Sequence, residues 1–288
     1  MIRIKPLHEK DADPQIKRMY EQIKQSLHTS LVPLYFQYMG LYPEYFQYAW
    51  EKIYANIKTE AFQKAEKQIQ EVTDAITEII YSPTQEVTDF IGSLQGVEKE
   101  HIENTVSDLR YINTALMILT IAVRESIKGI PVGVKKLEDF TRPGGSIEED
   151  SHIFDSLLKQ QEEFSNDPSL AQASKLLVPI FGSQALTISN YPDFFRLIAE
   201  EVEHLVKKES YLKARVELER LVQFLISGFS ESLNFSYKET ARFLYQKPHV
   251  DEFLYLLKDT FPSQFPRLVI TTSIMRKILT PRSEVTVG

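Results

Sequence analysis

The first residues whose spacing suggests chemistry are paired carboxylates and imidazoles. Glu98-Lys-Glu-His101 and Glu201-Val-Glu-His204 both place a carboxylate and an imidazole on one helix face, as in di-metal helical bundles. Such bundles also need inward-facing glutamates on further helices. Here both motifs are flanked by charged residues, so solvated helix faces account for them, and no metal site is expected. His8, His28, His152 and His249 show no ligand spacing. The chain has no cysteine, which excludes disulfides, thiolate zinc sites and a cysteine nucleophile. It has no Gly-x-Ser-x-Gly, glycine-rich phosphate loop or GxGxxG, so neither nucleotide chemistry nor a bound cofactor is expected.

Polar residues inside apolar helices are more informative. Tyr111 to Val123 is apolar nearly all round, so it should be buried, and Asn113 stands near the start of that run. A buried amide without partners costs on the order of 1–3 kcal/mol. A helix N-cap is the plain account of Asn113, and a pocket-facing amide is the functional one. In Leu176 to Ile188, Ser183 and Gln184 follow Gly182 and have apolar neighbours on both sides. Their plain account is a glycine-loosened helix in which both bond to backbone.

The elements that must position these residues are helices. Apolar residues recur near a 3.6 period, as in Phe46, Ala49, Trp50, Ile53 and Ile57, and no Asn-Gly or Asp-Gly hairpin signal occurs. Asp13-Pro14, Ser82-Pro83 and Asp167-Pro168 read as a cap followed by a first-turn proline. The chain also repeats itself. Tyr42-Pro43-Glu44-Tyr45-Phe46 recurs as Tyr191-Pro192-Asp193-Phe194-Phe195, an offset of 149 (192 − 43) that also pairs Glu51 with Glu200, Glu60 with Glu209 and Lys64-Ala65 with Lys213-Ala214. Leu31-Val32-Pro33 recurs as Leu177-Val178-Pro179 at offset 146 (177 − 31). These matches predict an all-α fold of two tandem helical repeats, residues 1–130 and 152–288, packed as a pseudo-two-fold dimer. Residues 131–151, with Pro131, Gly133, Pro143, Gly144 and Gly145, read as the linker. A site would then form between the halves.

Charge and hydropathy narrow the partners. The formal net charge is −7, with acidic and basic residues interspersed, so no basic face offers itself to nucleic acid. The longest strongly apolar run, Ala115 to Val123, is too short to cross a bilayer, and the N-terminal stretch lacks a secretory apolar region. The expectation is a cytoplasmic protein with no membrane partner; a homodimer is allowed by the sequence but not required.

Several short pieces, in order, resemble the group I 2-haloacid dehalogenases, which hydrolyse both D- and L-2-haloalkanoic acids. They are Val32-Pro33, Tyr42-Pro43, Ala49-Trp50, Tyr111-x-Asn113, Ala122, Glu125-Ser126, Pro131-Val132-Gly133, Asn190-Tyr191-Pro192 and Glu200-Glu201-Val202. The resemblance implies an all-helical pseudo-dimer with its site between the repeats, a small carboxylic acid as ligand and no cofactor. It implies an aspartate that activates a water to attack the halogenated carbon, with an asparagine helping to hold that water. The asparagine falls on Asn113. The aspartate falls on Gln184, preceded by Ser183 as in the family, and Leu176 to Asn190 contains no Asp or Glu. Two pocket aromatics fall on Leu34 and Leu116. An amide is not a usable base near neutral pH. Two readings follow: a relative that still hydrolyses a carbon–halogen bond with another base, or a non-dehalogenase paralogue that uses the interdomain pocket to bind a small ligand or a protein.

Overall fold

The computed structural model describes residues 4–133 and 191–280, and every described element of length is a helix. In chain order these are α1 (Pro14–Ser26), α2 (Leu34–Met39), α3 (Pro43–Ile57), α4 (Glu60–Ile80), α5 (Gln85–Ser93), α6 (Gly96–Ile127), α7 (Pro192–Val206), α8 (Glu209–Ile226), α9 (Tyr237–Leu244), α10 (Val250–Tyr255) and α11 (Phe261–Leu279). A five-residue π-helical segment, Leu256–Thr260, joins α10 to α11. Predicted features at 134–151, Asp167-Pro168 and Leu176 to Ile188 lie outside the described residues.

Local chemistry sets most helix starts. Asp13 accepts from the backbone N–H groups of Gln15 and Ile16, with Pro14 in the first turn. Thr59, Thr84 and Ser236 cap α4, α5 and α9 in the same way. Ser82-Pro83 does not open a helix as predicted: α5 begins at Gln85, because Thr84 supplies the capping oxygen two residues later.

The pieces matched at offset 149 have matching geometry. α3 and α7 are each 15 residues long, and each starts on a proline after a tyrosine. Those tyrosines have φ/ψ of −127°/73° (Tyr42) and −131°/64° (Tyr191). α4 and α8 follow after the same short turn, and each opens with an i,i+4 ion pair, Glu60–Lys64 and Glu209–Lys213.

The core is built by α4, α6, α8 and α11. The most extensive contact joins α6 to α11, and α4 and α8 each pack against both of those helices. From Ile112 to Ile127 every residue of α6 is buried. That helix is long and apolar enough by length and composition to cross a bilayer, and 78% of its most apolar window lies inside the protein.

Polar clamps tie together helices far apart in sequence. Asp74 of α4 accepts from Arg110 of α6 at 2.7 Å and from Ser273 of α11 at 2.7 Å, and Arg276 reaches the same carboxylate. Arg124 of α6 bridges Glu125 and Glu219 of α8, the latter at 2.6 Å. Lys277 donates to the Tyr81 carbonyl at 2.6 Å, covering the C-terminal end of α4. Ser126 accepts from Phe235 N–H and donates to the Leu233 carbonyl, while Val132 bridges Leu233. Gly133 has φ +83°, and a Cβ there would lie 2.5 Å from the Glu231 carbonyl oxygen, so only glycine fits this approach.

Candidate functional site

Asn113 does not cap a helix. α6 begins at Gly96 with Gln95 as its N-cap residue, and Asn113 sits in the helix interior. The half-turns before it, rich in Glu, Ser and Asp, are helical too, so the apolar run starting at Tyr111 is only the buried half of a longer element. The Asn113 side chain is 1% exposed, and its Nδ2 meets no hydrogen-bond acceptor among the described residues. A buried NH₂ group in that state costs on the order of 1–3 kcal/mol.

Leu116 lies one turn further on, on the same face of α6, and is also buried. Leu34 is the first residue of α2 and packs, partly buried, against the core. Ser183 and Gln184 lie outside the described residues. Asn113 and Leu116 therefore share one helix face.

The Glu-x-x-His motifs occupy helix surfaces. Glu98 and His101 are exposed. Glu201 accepts from Thr84 at 2.6 Å, while His204 points into solvent. No group of three or more His, Asp and Glu close enough to hold an ion occurs among the described residues.

One buried acid was not anticipated. Glu66 of α4 is 6% exposed, and its Oε1 has no hydrogen-bond donor among the described residues. Burial pushes its carboxyl up to about 8, from an ordinary value of 4.5. Among the described residues the other buried carboxylates, Glu125 and Glu219, are both paired with Arg124. Periodicity gave a signal here, since Glu66 falls between Phe62 and Ile69 on the apolar stripe of α4. At offset 149 it meets Arg215, which is buried as well (215 − 66).

The raised proton affinity predicts a stability effect. The folded protein keeps the Glu66 proton to about pH 8, whereas the unfolded chain releases it near 4.5. The folded state thus binds more protons between those values, and its stability falls as pH rises through that window. Glu66→Gln should be more stable than the natural protein at pH 8 by about 1–3 kcal/mol, with the gap closing toward pH 4.5. Denaturant melts at several pH values check this; a constant gap would contradict it.

A family model described as halocarboxylic acid dehydrogenase DehI matches residues 30–170, a span that includes Leu34, Glu66, Asn113 and Leu116. Solved structures of D-2-haloacid dehalogenases share the fold over nearly the whole chain. The complex with L-LA has a TM-score of 0.78 at 16% identity, covering 96% of each chain. A mutant complex with D-2-CPA has a TM-score of 0.77 at 16% identity and the same coverage. Over residues 30–170 the chain thus resembles the DehI family, and its fold is that of the D-2-haloacid dehalogenases. No curated protein matches it.

That likeness covers the all-helical fold. Within this chain, the matched pieces Glu125-Ser126 and Val132-Gly133 do structural work, since they hold α6 against the 231–235 segment. Asn113 differs from them: among the described residues its amide NH₂ has no structural partner.

Proposed function

We propose that this haloacid dehalogenase-like chain binds a small carboxylic acid at a site between two tandem related units, residues 1–130 and 152–288, joined by 131–151. Asn113, Ser183 and Gln184 contribute the polar groups, and Leu34 and Leu116 line the pocket where the family has aromatics. The observation that carries this reading is the Asn113 amide, buried in a core helix with its Nδ2 unsatisfied. The matching lengths and caps of α3 with α7, and the matching ion pairs that open α4 and α8, support the two-unit reading. Gln184 stands at the family's water-activating position, so hydrolysis by that residue is not expected. The chain binds rather than turns over. The competing reading, a cofactor-independent hydrolase that uses another base, requires halide release by the natural protein.

Asn113→Leu separates ligand binding from structure. It removes an unsatisfied buried donor, so the variant should be at least as stable as the natural protein. It should nevertheless lose propionate or 2-chloropropionate affinity by about 10- to 150-fold, the equivalent of one buried hydrogen bond to a charged group. Calorimetric titration and thermal melts check both. Unchanged affinity would sink the reading, and marked destabilisation would make Asn113 a structural residue.

A further inference from the structure

Two arginine clamps stand at like places on the core helices α6 and α11. Arg124 and Arg276 each follow by four residues a threonine, Thr120 or Thr272, whose hydroxyl reaches the carbonyls three and four residues back. Each arginine then crosses to an acid on another helix, Glu219 of α8 or Asp74 of α4. Their charge balance is opposite. In the first clamp one guanidinium serves two carboxylates, and Lys128, 3.9 Å from Glu125, supplies a second cation. In the second, one carboxylate serves two guanidiniums: Arg110 and Arg276 both donate to Asp74 Oδ2, while Ser273 donates to Oδ1.

No second anion completes that cluster among the described residues. Neither Arg110 nor Arg276 has another acid within ion-pair distance, and Lys277, the next cation on α11, is matched by Glu78 at 3.0 Å. Only Nη2 of Arg110 and Nη1 of Arg276 meet protein acceptors, so each guanidinium keeps N–H donors on its other nitrogens. The cluster is half closed: the Arg276 side chain is 49% exposed, Asp74 28% and Arg110 only 15%. Burial first, then the like charge of Arg276, hold the Arg110 guanidinium below its ordinary proton affinity, against the opposing pull of Asp74. One surplus positive charge thus stands at the crossing of α4, α6 and α11, in a chain whose formal net charge is −7.

We propose that Arg110 and Arg276 form a binding site for a small tetrahedral oxyanion, phosphate or sulfate, which bridges α6 to α11 beside Asp74. Guanidinium forks are the donors best matched to such oxygens. The donors come from two helices that share one carboxylate oxygen, and an anion with oxygens in several directions can meet both. Asp74 offsets part of the attraction, so the affinity is modest, with a Kd on the order of 1 mM. The bound anion completes the second clamp from solution, as Lys128 completes the first from the chain. This site is separate from the carboxylic acid site proposed above and does not depend on it.

Thermal melts at about pH 7.5 and constant ionic strength test it, with chloride exchanged for phosphate up to about 20 mM. The natural protein should gain about 2–4 °C at the top of that series, and sulfate should act alike. Arg276→Gln, at a half-exposed position, should lose the gain. Asp74→Asn removes the competing charge but keeps an acceptor for both arginines. It should melt lower in chloride and bind phosphate at least about fivefold more tightly than the natural protein. A natural protein indifferent to the exchange, a gain kept in full by Arg276→Gln, or a phosphate affinity unchanged in Asp74→Asn would each overturn the site. If Arg276→Gln does not fold, the Asp74→Asn series decides alone.

Discussion

Gln184→Asp should release halide from 2-chloropropionate at least about 10²-fold faster than the natural protein, because a positioned carboxylate base typically contributes 10²–10⁴-fold. The expectation rests on the chemistry of one atom pair. A carboxylate can take a proton from an attacking water while the carbon–halogen bond breaks and the halide leaves with its electron pair. An amide oxygen cannot hold that proton near neutral pH. Asn113, Ser183 and the family-like helical frame are retained in this sequence, while leucines stand at the two pocket aromatics, positions 34 and 116. Both enantiomers are assayed, since the family accepts D- and L-acids. Comparable halide release by the natural protein would show that another base operates, and the competing hydrolase reading would then replace the binding one. Failure of the aspartate variant to release halide, despite intact folding, would mean that the pocket has been rebuilt beyond the loss of its base.

The largest expected stability effect belongs to Arg124. Its guanidinium is buried and serves two buried carboxylates: Nε donates to Glu125 at 2.6 Å, and Nη1 pairs with Glu219 at 2.6 Å. Gln223 adds only a long hydrogen bond to Glu125, at 3.3 Å. Arg124→Met would strip buried Glu219 of its cation and leave buried Glu125 only the distant Lys128, at 3.9 Å, and breaking a buried pair in this way costs about 3–5 kcal/mol. Chemical denaturation should show that loss at pH 7 and partial recovery as pH falls, when the stranded acids protonate. The triple variant Arg124→Met, Glu125→Gln, Glu219→Leu should regain most of the loss, because apolar replacement of a whole buried ion cluster is often neutral. An effect under about 1 kcal/mol for Arg124→Met would place the cluster among surface-like pairs and contradict its burial.

Several features of the fold were legible in the sequence for physical reasons. Pro43 can occupy only a first turn, and the apolar spacing after it carried α3 to Ile57, where the structure ends it. The repeated Tyr-Pro piece marked the start of α7 at Pro192 in the same way. α6 was only half legible. Gly96 to Arg110 carries a narrow apolar stripe of Ile102, Val106 and Leu109 among charges, and that pattern did not join visibly to the fully apolar stretch after it. The break in pattern reflects a change of surroundings along one continuous helix, from solvent to core. Asn113 therefore looked like a cap when it is an interior residue. Glu66 was missed for the opposite reason: a glutamate among lysines and glutamines reads as surface, although it falls on the Phe62–Ile69 stripe that α4 turns toward α6, α8 and α11. Pairings such as Arg110 with Asp74, 36 residues apart, depend on how helices cross, which periodicity along a single chain does not encode.

The most direct measurement is a crystal structure of the protein with propionate bound at pH 6.5. The account predicts a carboxylate oxygen about 3 Å from Asn113 Nδ2, in a pocket bounded by Leu116 and within reach of residues 183–184. Propionate bound elsewhere, or an Asn113 amide satisfied by a protein acceptor with no room for a ligand beside it, would contradict it.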